Sequence, residues 1–296
     1  MGYLLLFFSK LSAILKMIAM KKCGNIASGS ENSLRINLVR SLGCLVISIA
    51  VSCAIGFREM SAVGVWIAVG YGVANALLLF SWVLAAEHAS LCTVEIFCMA
   101  GGVIVPMLVT PLFLSGETVG VLAWVGAALL LPAALLLFPR SSGGSTSISA
   151  LPMLLLAGAA NAGCVLSQKL YAAYGGGTAA DFNTVSFATT IPVLAIIYIL
   201  LRMFKKGASN TENDAKVPKA LIIVYIIIAI IGLYGAQYLH TLASGMLPGE
   251  VLFPLSYAMS MPLTLLTDAL FFRDRIRALS VVGILLAVIS AVLCNL

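Results

Sequence analysis

Charged residues are scarce in this chain of 296 residues. The 17 Lys and Arg and the 11 Asp and Glu make up 9% of it, whereas 61% of its residues are hydrophobic. An ordinary soluble domain has roughly 25% charged and 45–50% apolar residues. The composition therefore excludes an ordinary soluble domain and is typical of an integral membrane protein. We attribute the net charge of +6 to cytoplasmic loops and expect no nucleic-acid partner.

The sequence also lacks the short motifs of catalysis and cofactor binding. It contains no H-E-x-x-H, no G-x-S-x-G and no Walker motif. Its two histidines, His88 and His240, are expected at helix ends as solvated caps. The seven cysteines form no C-x-x-C pair and are interpreted as small buried residues. We therefore expect no enzyme activity, no cofactor, no metal and no direct use of ATP.

Long apolar runs dominate the rest of the sequence. A bilayer core needs about 20 apolar residues per helix, and helices suit such runs because lipid offers the open backbone no partner. Windows of that length predict ten spans: Gly2–Met20, Ile36–Phe57, Val63–Ala86, Leu91–Leu114, Val119–Phe138, Ala150–Tyr174, Phe182–Leu201, Ala220–Leu239, Val251–Phe272 and Leu279–Leu296.

The two halves of the chain show weak internal repetition. A shift of 148 residues places Lys21 on Lys169, and a shift of 157 places Glu117 on Asp274. The span pattern then predicts two five-helix halves joined by a linker: residues 1–139, 140–149 and 150–296. Since five is odd, the second half enters the membrane the opposite way round. The predicted fold is an all-α integral membrane protein with ten transmembrane helices in two inverted five-helix repeats.

Each half closes in an acidic turn followed by a glycine-bearing last helix, in "LSGETVGVLAWVGAALLL" and "FFRDRIRALSVVGILLAVISAVL". With this span pattern, nearly the whole chain resembles the drug/metabolite transporter superfamily, specifically its ten-helix EamA-like members. The resemblance implies a transporter of small metabolites whose cavity is lined by the third, fourth, eighth and ninth helices. It also implies that both termini lie inside the cell. The excess of Lys and Arg in the loops after the odd-numbered spans instead predicts that both termini lie outside.

Glu95 is the main candidate functional residue, because an ionisable group one turn inside a span usually faces a cavity or a partner. At about 100° per residue, Gly102 and Pro106 share its helix face. Our candidate partner is Lys10, near the middle of the first span. The other cations in the first two spans, Lys16 and Arg40, are expected to extend to the membrane interface.

Glu250 is the approximate counterpart of Glu95 in the second half. It begins the ninth span, where a helix N-terminus alone would also favour a carboxylate. Tyr257, Thr264 and Asp268 share its face. In inverted halves, Glu95 and Glu250 would lie toward opposite mouths of one pathway.

The third and eighth spans add polar and aromatic candidates. Asn75 and Gln237 carry amides that need hydrogen-bond partners within the membrane. Tyr234 is an aromatic candidate for the lining, although tyrosines near span ends often belong to the interfacial belt. Acidic, aromatic and amide groups mildly favour a cationic, zwitterionic or aromatic solute over a strongly anionic one, a preference that Lys10 weakens.

We predict a multi-pass protein of the inner or plasma membrane. Its predicted function is secondary transport, in particular export, by alternating access, of small organic solutes such as amino-acid-like, amine or aromatic compounds. The expected partners are a small solute, membrane lipid and protons coupled through Glu95. Two alternatives stay open: a lipid-linked carrier flippase of the same superfamily, and a membrane scaffold without transport. The sequence predicts neither the substrate nor the oligomeric state.

Overall fold

Helices form nearly all of the chain that the computed structural model describes, namely residues 1–24, 30–88, 91–137, 150–204, 219–272 and 278–295. The helices within these residues are α1 (Gly2–Gly24), α2 (Ser30–Ile55), α3 (Ala62–His88), α4 (Leu91–Phe113), α5 (Val121–Leu137), α6 (Leu151–Tyr174), α7 (Ala179–Phe204), α8 (Lys219–Ser244), α9 (Gly249–Phe272) and α10 (Ala278–Leu293). The predicted all-α class is confirmed. The predicted linker, 140–149, lies outside the described residues.

Seven helices within the described ranges, α1 to α4 and α6 to α8, are long and apolar enough to cross a membrane. The helices α5 and α10 are also apolar but shorter, with 17 and 16 residues. Large aliphatic side chains such as Leu108, Ile196 and Leu285 are exposed on the outer surface, which suits contact with lipid. The fold is therefore compatible with a multi-pass membrane protein.

The most extensive helix contacts join elements distant in sequence: α1 with α8, α3 with α6, and α5 with α10. Glycines permit close crossings of α1 with α8 and of α4 with α6. A Cβ atom at Gly232 of α8 would lie 2.7 Å from the backbone nitrogen of Lys16 on α1. A Cβ atom at Gly101 of α4 would lie 2.1 Å from the carbonyl oxygen of Gly158 on α6. Only glycine permits such an approach of two backbones.

Four helix connections and both chain termini meet at one end of the bundle, here called the terminal end. The backbone N–H of Ser61, after α2, donates to the carbonyl of Gly175, after α6, at 2.9 Å. The Tyr174 hydroxyl donates to the carbonyl of Phe113, the last residue of α4. The Tyr3 hydroxyl donates to Asn295 Oδ1 at 2.8 Å. The other end is called the opposite end, and its connections lie outside the described residues.

The glycine contact between α4 and α6 predicts a difference between two alanine substitutions. Gly101→Ala should lower the free energy of unfolding by about 1–3 kcal/mol, because the new methyl group meets a backbone carbonyl. Gly70→Ala is the matched control, since a Cβ atom there would meet nothing within 4 Å. The thermal unfolding midpoint in detergent measures both variants. Equal midpoints for the two would contradict the described crossing.

Candidate functional site

Glu95 lies in the first turns of α4, near the opposite end of the bundle. Its side chain is exposed, yet its carboxylate interacts electrostatically with Lys16 on α1 and lies within hydrogen-bonding reach of the Trp82 indole on α3. It also interacts with Tyr257 on α9. A carboxylate surrounded by groups from three other helices and still exposed lines a water-accessible space inside the bundle.

Lys16, rather than Lys10, is the cation that acts on Glu95. The ammonium of Lys10 instead lies 5.9 Å from the centre of the Tyr257 ring, a cation–π contact. Lys10 also interacts electrostatically with His240 on α8. The predicted pair of Lys10 with Glu95 is therefore not seen. Instead, Lys16 interacts with Glu95 and Lys10 lies over the Tyr257 ring, so that α1 contributes the cation of both contacts.

Arg40 lies on α2 beside Lys16, and their charges interact. Its side chain is only 4% exposed, and its Nε atom has no hydrogen-bond partner among the described residues. Arg40 also interacts with Cys23 in the last turn of α1, and its extension to the membrane interface stays a prediction. Lys10, Lys16, Arg40 and Glu95 are called the central charged cluster below. The cluster holds three cations and one carboxylate.

Tyr257 is held in place by an amide that the sequence analysis did not single out. Asn161 of α6 donates through Nδ2 to the carbonyl of Cys98 on α4 at 2.7 Å and also to the Tyr257 hydroxyl. A Cβ atom at Gly102 would overlap the same hydroxyl. The face that Glu95 shares with Gly102 on α4 therefore meets the face of Tyr257 on α9.

Glu250 belongs to a different group, at the terminal end. Its Oε2 atom accepts the backbone N–H of Gly120, before α5, at 3.0 Å. The facing carboxylate, Glu117, accepts the backbone N–H of Gly249 at 2.9 Å and forms a 2.6 Å ion pair with Lys169. We call these five residues the terminal clasp. Glu250 and Glu117 line a cavity of about 90 Å³ there.

Glu95 is far from this clasp. It precedes Phe113, the terminal-end residue of α4, by 18 positions, or about 27 Å at 1.5 Å per residue. Glu95 and Glu250 therefore lie toward opposite ends of the bundle. The carboxylate of Glu95 is accessible, whereas that of Glu250 is tied to a neighbouring connection.

The other predicted residues lie in separate surroundings. Asn75 is buried and donates to Thr190 Oγ1 on α7 at 3.3 Å. Tyr234 is buried in an apolar cluster between α2, α7 and α8. Thr264 is half-buried on α9, while the side chain of Asp268 lies outside the described residues. The structure therefore does not bring the three described side chains, those of Asn75, Tyr234 and Thr264, into contact with Glu95.

Gln237 and His240 lie one turn apart on α8, and each is buried with one unpaired atom. The Gln237 amide donates to the Tyr71 hydroxyl on α3, while its Oε1 has no partner among the described residues. His240 Nε2 lies 3.4 Å from Ser256 Oγ, and its Nδ1 is unpartnered there. The expectation that His240 is a solvated cap was wrong, since it is 6% exposed.

Two features of the sequence point to Asn161, Lys16 and Arg40, which are not among the predicted site residues. Asn161 is an amide inside a span, the same criterion that selected Asn75. Lys16 and Arg40 were considered only as residues near span ends, although each is more than one turn inside its helix. Within the described ranges, no group of three or more His, Cys, Asp or Glu residues has the arrangement of a metal site.

Comparisons with known proteins extend the description of the fold. No protein-family model matches the chain, and no curated protein is similar to it. Solved structures do match. The chain is similar to a protein of known crystal structure, with a TM-score of 0.71 and 18% sequence identity over 99% of this chain and 95% of that chain. At this identity the likeness shows the fold alone.

Exposure of Glu95 predicts a labelling difference between adjacent residues. In a background with the native cysteines replaced by alanine, Glu95→Cys should react with a small charged thiol reagent. The matched control is Val94→Cys, because Val94 is 0% exposed. Mass spectrometry of the labelled protein in nanodiscs measures the modified fraction. Comparable labelling of both, or of neither, would contradict a water-accessible space at Glu95.

The terminal clasp predicts unequal losses of stability for its two carboxylates. Glu117→Gln removes the charge that Lys169 pairs with and should cost about 2–4 kcal/mol, since Glu117 is 24% exposed and water screens part of the pair. Glu250→Gln keeps an acceptor for Gly120 and should cost about 1 kcal/mol or less. Detergent unfolding curves measure the difference. A larger loss for Glu250→Gln would contradict the described clasp.

Proposed function

We propose that this chain is a secondary transporter of small organic solutes that works by alternating access. In this proposal it is an EamA-like member of the drug/metabolite transporter superfamily, and all ten helices cross the inner or plasma membrane as two inverted repeats. The substrate passes the central charged cluster, and protons couple through Glu95. The observation that carries the proposal is the exposed carboxylate of Glu95 within a helical bundle.

The contrast between the two ends of the bundle supports alternating access. At the terminal end, hydrogen bonds and the Glu117–Lys169 ion pair tie together connections from both halves of the chain. Toward the opposite end, Glu95 is exposed. A pathway closed at one end and accessible from the other is one state of an alternating-access cycle. Opening the terminal end requires the clasp to separate, and its few polar contacts offer a reversible closure.

The packing of the helices supports the inverted repeat. If each helix of the first half corresponds to the one five positions later, the α1–α8 contact corresponds to α6–α3. Both contacts are among the most extensive in the bundle. Exchanging the halves turns the α2–α7 contact into α7–α2, which is the same contact, and the same holds for α5–α10. A two-fold relation between the halves requires such contacts. This pattern favours a transporter over an enzyme or a scaffold, because paired repeats provide two alternative closures around one site.

A second candidate function is flipping of a lipid-linked carrier. A groove of about 700 Å³ runs between α1, α9 and α10, and its lining is mostly apolar. Leu255, Met259 and Pro262 are among its lining residues, with Tyr3 and Asn295 at its polar end. A lateral apolar groove suits an acyl or prenyl chain. The basic residues that would contact the headgroup, Arg273, Arg275 and Arg277, lie outside the described residues.

Transport in liposomes tests the first function directly. Reconstituted protein is given an imposed pH gradient and screened over amino acids, amines, aromatic metabolites and organic acids. We expect gradient-driven uptake that Glu95→Gln abolishes. Glu59→Gln, in the exposed connection after α2, is the matched carboxylate control and should transport like the wild type.

The outcomes separate the candidate functions. Equal transport by both variants would reduce Glu95 to a structural carboxylate and contradict proton coupling through it. Absence of solute transport, together with translocation of a fluorescent lipid-linked probe across the same liposomes, would favour the flippase. Absence of both activities would contradict transport and favour a scaffold.

A further inference from the structure

We propose that the central site binds a small organic anion, whose carboxylate or other oxyanion lies between the Lys10 ammonium and the Tyr257 hydroxyl. This inference rests on the proposed transport function and names the chemical class of its substrate. It reverses the mild preference for a cationic solute in the sequence analysis.

The described charges of the central charged cluster do not balance. The central charged cluster holds three cations, Lys10, Lys16 and Arg40, against the carboxylate of Glu95. Lys16 is the cation that interacts with Glu95. Among the described side chains, no carboxylate interacts with Lys10 or Arg40. Uncompensated cations inside a membrane protein are costly, and an anionic ligand would offset that cost.

Tyr257 offers a hydrogen-bond donor beside Lys10. The Asn161 nitrogen that donates to the Cys98 carbonyl also contacts the Tyr257 hydroxyl, so this hydroxyl is an acceptor in that contact. Its own proton has no acceptor among the described residues. A phenol accepts one hydrogen bond and donates another, so this proton is available to a ligand oxygen.

Lys10 is placed to act together with that hydroxyl. Its ammonium lies 5.9 Å from the centre of the Tyr257 ring. Its side chain is half-buried, and the described titratable groups with which it interacts are Lys16 and His240. His240 Nδ1 has no partner among the described residues, so it can hydrogen-bond a ligand or a water molecule.

These groups define the ligand chemistry. An ammonium and a phenolic O–H both donate, and both recognise an oxygen that carries negative charge. The Tyr257 ring adds an apolar face. A ligand with an anionic oxygen beside an apolar or aromatic body fits this combination, whereas an amine would face three cations and one carboxylate, that of Glu95.

Equilibrium binding to wild-type protein in nanodiscs tests the inference without requiring transport. Three probes of one shape but different charge are compared at millimolar concentrations: benzoate, benzamide and benzamidine. Tryptophan fluorescence and thermal unfolding report binding, since Trp82 lies beside Glu95. We expect benzoate to bind, with benzamide and benzamidine at least about tenfold weaker.

Substitutions locate the site. Lys10→Met should weaken benzoate binding at least about tenfold, and Lys10→Arg should retain most of it. Tyr257→Phe removes only the hydroxyl and should weaken binding about threefold. Lys22→Met, on the same helix but at the opposite end of the bundle, is the matched control and should bind as the wild type does.

Benzoate binding no tighter than that of benzamide or benzamidine, or unchanged by Lys10→Met, would overturn the inference. The liposome assay distinguishes this failure from failure of the proposed function. Gradient-driven transport of amines that is indifferent to Lys10 would support a transporter and overturn the anion site. Charge-selective binding that depends on Lys10, without transport of any solute, would support the site and overturn the transporter.

Discussion

The cost of placing a charge in a low-dielectric, water-poor interior is the constraint on which the rest of this structure depends. An ionised group in hydrocarbon needs a partner, water or a ligand. The chain carries few charges, yet Lys10, Lys16, Arg40 and Glu95 all lie within its apolar helices. Lys16 and Glu95 act on each other, Lys10 lies over an aromatic ring, and Glu95 is exposed. The cluster is tolerable because the helices leave a water-accessible space beside it.

The helix crossings create this arrangement. The α1 backbone approaches α8 closely because Gly232 has no side chain, and α1 contributes both lysines of the cluster. The crossing of Gly101 with Gly158 joins α4 to α6, which also brings Asn161 to Tyr257. At the terminal end, polar contacts close the bundle. Glycine contacts thus position the charged side chains, and the clasp joins connections of both halves at the terminal end.

The sequence predicted the helices well because apolar run length is a local property. It also predicted that Gly102 shares the helix face of Glu95, since helical periodicity is local too; the meeting of that face with Tyr257 depends on packing between helices. The partner of Glu95 was not predictable, because Lys10 and Lys16 lie on one helix and only the α1–α8 crossing decides between them. His240 was misjudged for a related reason: distance from a span end says little about burial when neighbouring helices cover the side chain. The clasp of Glu117 with Lys169 depends on contacts between halves that no local pattern encodes.

Water access to the central charged cluster can be measured by hydroxyl-radical footprinting in nanodiscs, because radicals generated from water oxidise side chains that water reaches. We expect rapid oxidation of Trp82 and Tyr257, which lie beside Glu95. Phe182 and Phe253 should be protected, because both are 0% exposed. Protection of Trp82 and Tyr257 to the level of these phenylalanines would contradict a water-accessible charged site inside the bundle.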